Sequence, residues 1–504
     1  MLESSNIPVV RLGIVAVSRD CFPIELSQRR RRAIVAACAA RGLEVTEVQA
    51  TVENEADMLA AVDEAKVAGV NALTVFLGNF GPETPETQIA QRFDGPCMFV
   101  AAAEGDGDLV NGRGDAYCGM LNCSYNLGLR HITNAYIPSY PVGTADDIAQ
   151  MMADFVPVAR AAIGVRNLKI ITFGPRPQDF FACNAPIKGL YELGVEVEEN
   201  SELDLYVSYQ EHAGDPRIEG VCADMAAEMG EGRYYPDLLA RMAQFELTLL
   251  DWAEAHKGSR KYVAFADKCW PAFPQTFGFE PCYVNSRLVT RGIPVACEVD
   301  IYGALSEYVG MCASDDTVTL LDINNSVPAS LYAERIAGKF QRPDGQGVKL
   351  TDTFMGFHCG NTPSCKMCSD RAVKYQLIQH RLLEPEGSDP DFTRGTLEGD
   401  IAASPVTFYR LQCDSEGNLR SYIAEGEILD VPTGSFGGIG VFAIPEMGRF
   451  YRNVLIEKHF PHHGAVAFKH CGRELFDIFR YLGLGDISYN QPASLPYPTE
   501  NPFC

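Results

Sequence analysis

The sequence predicts an α/β protein with two doubly wound α/β domains, residues 1–143 and 144–326, and a β-rich, barrel-like C-terminal domain, residues 327–504. Three observations predict this. Strand and helix patterns alternate over residues 9–77 and again from residue 144, as in parallel sheets covered by helices. From residue 327 onward Gly, Pro, Thr and aromatic residues multiply and the strands become short and alternating. A length of 504 residues exceeds one hydrophobic core and suits about three domains.

In chain order, residues 9–17 read as an apolar strand and 24–41 as a helix carrying the basic run 29–32. Residues 43–50 form the next strand, 55–68 a helix and 72–77 a third strand. Ser18-Arg19-Asp20 and Gly78-Asn79-Phe80 follow strands directly, where open parallel sheets bind ligands; the first run equally suits a plain helix N-cap. The second domain opens with helix 145–163 and strand 169–173, which ends in Gly174-Pro175-Arg176-Pro177. Helix 184–193, strand 196–198, an amphipathic stretch at 243–256 and strand 262–266 follow, and residues 406–412 and 421–423 are short strands of the last domain.

A net charge of -24, from 66 acidic against 42 basic residues, opposes non-specific binding to nucleic acid or anionic membrane. The N-terminal segment lacks the pattern of a signal peptide, and no uninterrupted apolar run reaches the roughly 18 residues of a membrane span. The 17 cysteines are odd in number and lie in apolar contexts such as Cys38, Cys297 and Cys312, so reduced thiols and a cytoplasmic location are expected. Phosphate-binding glycine loops, the nucleophile elbow and the zinc-protease helix motif are absent.

The chemistry-bearing residues concentrate between 266 and 325, in DKCWP (267–271), ACEVDIYGA (296–304) and TLLDINN (319–325). Glu298 follows strand 293–297 and Asp322 follows strand 318–321, with a helix over 303–311 as crossover, so neighbouring strand ends could bring both carboxylates to one divalent cation. Spacing alone equally describes two solvated acids. FPHHGAVAFKHCG (460–472) supplies His462, His463 and His470. The glycine after His463 would allow a close approach, and His463 and His470 could share a helical face; a structural His-His pair fits as well. In FHCGNTPSCKMC (357–368), Cys365 and Cys368 have zinc-knuckle spacing but no second knuckle, so His358 reads better as the rim of an active site.

ACEVDIYGAL, LLDINN and PHHGAVAFKH, in this order along the chain, resemble the L-fucose/L-arabinose isomerase family. The resemblance covers most of the chain, and its specificity lies in the ordered Glu, Asp and His. It implies that Glu298, Asp322 and His463 bind a divalent ion, Mn2+, and that Glu298 and Asp322 are catalytic, with Glu298 the main base. It implies aldose–ketose interconversion through a cis-enediol, in which a metal stabilises developing charge and a carboxylate moves the proton. Arg19 resembles the family's N-terminal substrate-contacting arginine, which reaches a neighbouring subunit's site, so a homo-oligomer, hexamer or trimer, with sites at subunit interfaces is expected. Lys268, Trp270, Tyr302, His358 and His462 are candidate pocket residues; Trp270 suits the core as well. His462 stands where fucose isomerases usually carry Asn. The substrate expected is of the L-fucose/D-arabinose type or a modified sugar such as sulfoquinovose, whose anion would need Arg19, Arg176 or Lys268. The alternative is a non-catalytic sugar-binding or regulatory protein on the same α/β domains, which has no need of Glu298, Asp322 and His463.

Overall fold

The computed structural model describes residues 6–108, 114–375, 394–501 and 503. By contact the chain parts into two compact units, Pro8–Ile163 and Gly164–Cys504, the latter joined by the residues through Ile7.

In the first unit, β1 (Leu12–Val17), β2 (Val45–Val52), β3 (Ala72–Leu77), β4 (Cys97–Ala102) and β5 (Ala135–Tyr136) form a sheet in the order β2-β1-β3-β4-β5, with β6 (Val142–Gly143) also on β4. Every pairing is parallel. LGIVAV, ALTVFL and CMFVAA are buried at every position, the continuous apolar runs of strands covered on both faces. The cover is α1 (Ile24–Ala40), α2 (Glu55–Val67), α3 (Glu83–Arg92), α4 (Ala116–Leu129) and α5 (Ala145–Arg166). The unit thus takes in most of α5, past the expected boundary at 143. By length and apolar composition α5 could cross a membrane, but 56% of its most apolar window is buried inside the fold, as in a core helix.

The order 2-1-3-4-5 reverses between β1 and β3, the place where doubly wound sheets open a crevice. Arg19 and Asn79 follow those two strands; Asn79 donates to the Ser18 hydroxyl at 2.9 Å and accepts from the Arg19 N–H at 3.0 Å. Near this end the fully buried Glu86 of α3 is pushed up to about 8 by burial. A raised carboxyl stabilises the fold below the unfolded-state value and loses that contribution as pH rises toward 8, at about 1.4 kcal/mol per unit. Glu86→Gln should therefore match the wild type near pH 4.5 and exceed it by several kcal/mol at pH 8.5. Urea unfolding of the full chain at both pH values measures this, and equal gains at both would contradict it.

The second unit holds two sheets. β7 (Leu168–Phe173), β8 (Glu196–Asn200), β9 (Tyr262–Asp267) and β10 (Val295–Cys297) pair in parallel in the order β10-β9-β7-β8. The larger sheet contains β11 (Val318–Asn325), β12 (Thr353–His358), β13 (Ala372–Tyr375), β14 (Arg394–Asp400), β15 (Ser404–Cys413), β16 (Leu419–Leu429), β17 (Gly438–Ala443), β18 (His463–Ala467) and β19 (Asp486–Tyr489). Its order is β13-β14-β17-β12-β11-β18-β15-β16-β19, and β16 also pairs with β17. The antiparallel path from β17 through β12, β11, β18, β15 and β16 therefore returns to β17. One apolar cluster runs from Ile171 and Phe265 to Val373 and Leu397, so both sheets share a core.

The helix Ile301–Ser314 lies between these sheets, on β18, β15 and β11 and on β9, β10 and β7. All of its residues are buried. Its Gly310 permits the contact: a Cβ there would sit 1.5 Å from the Tyr409 hydroxyl. This helix corrects the expected crossover. It leaves β10 in one sheet and enters β11 in the other, where β11 is antiparallel to both neighbours. Glu298 and Asp322 do not end adjacent strands; they approach from two sheets.

Candidate metal centre and active site

Asp322 lies directly opposite His463 on the β11–β18 ladder and opposite Phe357 on the β11–β12 ladder. Side chains paired across a rung share a face about 5 Å apart, which is how residues distant in sequence come together. Asp322 Oδ1 lies 3.3 Å from His463 Nε2. Glu298 arrives from the end of β10 with its Oε2 3.3 Å from the same Nε2. Glu298 and Val299 have φ of 61° and 57°, left-handed values that are strained for side chains with a Cβ and most of all for valine. The kink is held by Val299 N–H donating to Asp267 O at 3.0 Å and Asp300 N–H donating to Cys297 O at 3.1 Å. It turns Glu298 out of the strand line toward β11 and β18.

The group is fixed from behind. Trp270 Nε1–H donates to Glu298 Oε1 at 2.7 Å, which places Trp270 beside Glu298. Asp300 Oδ2 lies 2.8 Å from His463 Nδ1. Asp300 also caps the buried helix, accepting from Gly303 N–H at 2.9 Å. Arg410 closes the set with two bonds to the Asp300 carboxylate, 2.8 and 3.0 Å, and a third to His463 O at 3.2 Å. The Arg410 guanidinium and the His463 imidazole hold Asp300 far below the usual carboxylate range despite burial. Burial raises Glu298, but His463 and the Trp270 N–H carry it below its ordinary value. Burial opposes charge on His463, yet Asp300, Cys183 and Glu298 hold the imidazole above the usual histidine range.

These donors suit a divalent cation. Asp322 Oδ1 and His463 Nε2 are buried and have no hydrogen-bond partner, although they face each other. The ligand atoms of Asp322, His462 and His463 lie within 4.8 Å of one another, as do those of Cys183, Glu298 and His463. Two carboxylates and an imidazole match a hard or borderline ion, and a carboxylate behind the imidazole is the usual support of a metal-ligating histidine.

The other expected residues divide. The His462 ring centre lies 4.4 Å from that of His463, and burial lowers both it and His358 as bases. His358, at the end of β12, has its ring 6.2 Å from His463 and accepts the Cys359 N–H on Nδ1 at 3.0 Å, so it borders the site. Lys268 turns instead to Glu202, 2.9 Å away. Arg19 lies in the first unit, its guanidinium over Phe80 at 5.0 Å and 3.8 Å from Glu83. Tyr302 is not a pocket residue: its hydroxyl is buried and donates to Pro186 O at 2.8 Å. His470 shares no helical face with His463, because His463–Ala467 is a strand and His470 reaches Gly426 O at 3.0 Å. Gly464 serves the core, since a Cβ there would strike Phe408 and Tyr422 within 2.5 Å. Among the described residues Cys365 and Cys368 join no metal-binding group.

Sequence reasoning missed four residues. Asp300 stood two places beyond Glu298, in the same motif. Arg410 gave no signal in an alternating strand. Phe180 and Cys183 come from the loop after β7: Phe180 lies 5.5 Å from His462 and 6.1 Å from Trp270 between ring centres, and Cys183 Sγ is 3.8 Å from His463 Nδ1.

Fold and site together define an α/β protein with a buried carboxylate–histidine centre walled by aromatic rings. The chain belongs to the L-fucose isomerase-like family of sugar isomerases. Residues 13–166 match the fucose/sulfoquinovose isomerase N-terminal domain and residues 356–488 the L-fucose isomerase C-terminal domain. Glu298 and Asp322 lie between these segments; His358, Arg410 and His463 lie in the second. The sulfoquinovose isomerase of Alkalicoccus urumqiensis is 23% identical over 70% of this chain and 72% of its own length. Those of Clostridium sp. (strain MSTE9) and Priestia aryabhattai are 28% and 29% identical over 36% and 30% of this chain, and over 34% and 33% of their own.

Proposed function

We propose that the chain is a divalent-metal-dependent aldose–ketose isomerase working through a cis-enediol on an anionic sugar of the sulfoquinovose type. Glu298, Asp322 and His463 would hold the divalent cation, Mn2+ by the family resemblance; the donor set itself suits several divalent ions. Family membership sets aside the non-catalytic reading. The observation that carries the proposal is the buried pair Asp322 Oδ1 and His463 Nε2, lacking hydrogen bonds, with Asp322 Oδ1 and Glu298 Oε2 each 3.3 Å from that nitrogen.

When bound, the ion would bind the sugar's adjacent oxygens and stabilise negative charge developing on them. Glu298 would shuttle the proton between C1 and C2: Trp270 fixes Oε1, which orients the other oxygen, and the strained turn allows one approach direction. Asp322 would hold the proton of the neighbouring hydroxyl. Phe180, Trp270 and His462 would exclude water from the sugar face. Arg176 is the cation best suited to a sulfonate: it sits over Phe181 at 4.7 Å, in the loop that carries Phe180, and has no carboxylate partner among the described residues. Lys268 is already engaged by Glu202. We read the returning strand path of the C-terminal region as the expected barrel-like domain, the protein as a homo-oligomer, and its described cysteines, which form no disulfide with one another, as those of a cytoplasmic protein.

The test is to strip metal, add back Mn2+ and assay sulfoquinovose, L-fucose, D-arabinose and L-arabinose. Manganese-dependent turnover is expected, greatest on sulfoquinovose. Mn2+ at a hundredfold excess over its dissociation constant should also stabilise the fold by about 2.7 kcal/mol, read as a rise in melting temperature that His463→Ala abolishes. A melting temperature indifferent to Mn2+, with no turnover of any sugar, would refute the assignment.

A further inference from the structure

α4 lacks any charged side chain over Ala116–Leu129, in a protein of net charge -24. Its inner face, Gly119, Met120, Cys123 and Leu127 among others, is buried. Its outer face is apolar as well: Tyr117, Leu121, Tyr125 and Leu129 are 59%, 63%, 68% and 59% exposed. A helix with an apolar stripe on its outer as well as its inner face belongs in an interior, and a single copy of the first unit leaves the outer stripe in water. The helix cannot roll to hide that face. A Cβ on Gly119 would sit 2.1 Å from Phe80 O, and Asn122 and Asn126 donate to Glu83 at 3.1 and 2.8 Å.

We propose that this stripe is the contact with a second copy of the chain, across a two-fold axis, extending the homo-oligomer part of the functional reading. Four residues spaced by four make one ridge of the kind that packs between the ridges of a facing helix. Their order favours a copy of itself. Run antiparallel about the middle of the helix, Tyr117 meets Leu129 of the partner subunit and Leu121 meets Tyr125 of the partner subunit, so all four contacts pair a tyrosine with a leucine. Such self-complementarity is what a two-fold interface requires. The same arrangement brings the Asp115 end of each helix toward the Arg130 end of the other. Two chains of charge -24 repel over most of their surfaces, and a neutral face lets them approach. The four side chains offer on the order of 500 Å² per copy, more than half of the roughly 800 Å² of a standard interface. A helix without Lys or Arg lacks the electrostatic attraction that draws amphipathic helices to an anionic lipid surface.

The experiment is the mass of the full chain by sedimentation equilibrium, for the wild type, Leu121→Asp, Tyr125→Asp and the control Val67→Asp, which places the same charge on an exposed apolar position of α2. Its readout is independent of turnover, so failure of the isomerase reading and failure of this one are separable. The wild type should be an even-numbered assembly, and each α4 variant should halve its mass by weakening the contact at least about 100-fold. Val67→Asp should change nothing. If an Asp variant melts early, Leu121→Ser and the amide exchange of residues 116–129 take its place; exchange should slow as protein concentration rises. A monomeric wild type, an assembly unmoved by both α4 variants, exchange independent of concentration, or capture of the wild type by anionic vesicles would each overturn the proposal.

Discussion

Glu298→Gln is expected to lower turnover by at least about 10³-fold while leaving the melting temperature of the metal-free protein nearly unchanged. Positioned proton transfer contributes about 10² to 10⁴ in rate, and an amide can neither take nor return a proton. The fold should tolerate it, because the amide oxygen can still accept from Trp270 Nε1–H and the left-handed backbone at residues 298 and 299 is set by main-chain bonds. Loss of one anionic donor should also weaken Mn2+ binding, so the assay is run at saturating metal to isolate the proton transfer. A variant that kept a tenth of wild-type turnover would remove Glu298 as the base and leave it a ligand only.

Arg410→Ala should cost about 3–5 kcal/mol of stability, the penalty for stranding a buried charge. Arg410 and Asp300 are almost wholly buried, and the guanidinium supplies two of the bonds that offset the desolvation of the carboxylate, beside Gly303 N–H and His463. The damage should reach the centre, since Asp300 orients His463 and Arg410 also holds the His463 carbonyl. Urea unfolding measures the loss. The double variant Asp300→Asn, Arg410→Met, which removes the charge together with its partner, should recover much of the stability while manganese affinity stays low. Equal stability losses in the single and double variants would show that packing volume, not the stranded charge, sets the cost.

What was legible in the sequence follows from the range of the forces involved. The first unit could be read because its strands are buried on both faces, which writes continuous apolar runs such as LGIVAV and ALTVFL into the chain. Glu298 and Asp322 could be read because each follows an apolar run. Their meeting could not be read correctly, because sequence spacing does not say whether a helix returns to its own sheet or crosses to another. His462 and His463 stood out by rarity, but the short apolar stretch after them fits helix or strand, and only pairing with β11 decides it. Arg410 and Phe180 could not be found at all. Each is defined by a residue far off in the chain, and neither a strand arginine nor a loop phenylalanine departs from the ordinary.

The rung that joins Asp322 to His463 has a consequence for how this chain can change over evolutionary time. Side chains alternate between the faces of a strand, so gain or loss of one residue in β11 or β18 sends one of the two donors to the far face. A lineage could absorb such a change in folding energy by repacking, yet the two side chains would no longer share a face. If the proposed centre is the catalytic one, length in these two strands is constrained by activity more tightly than by stability.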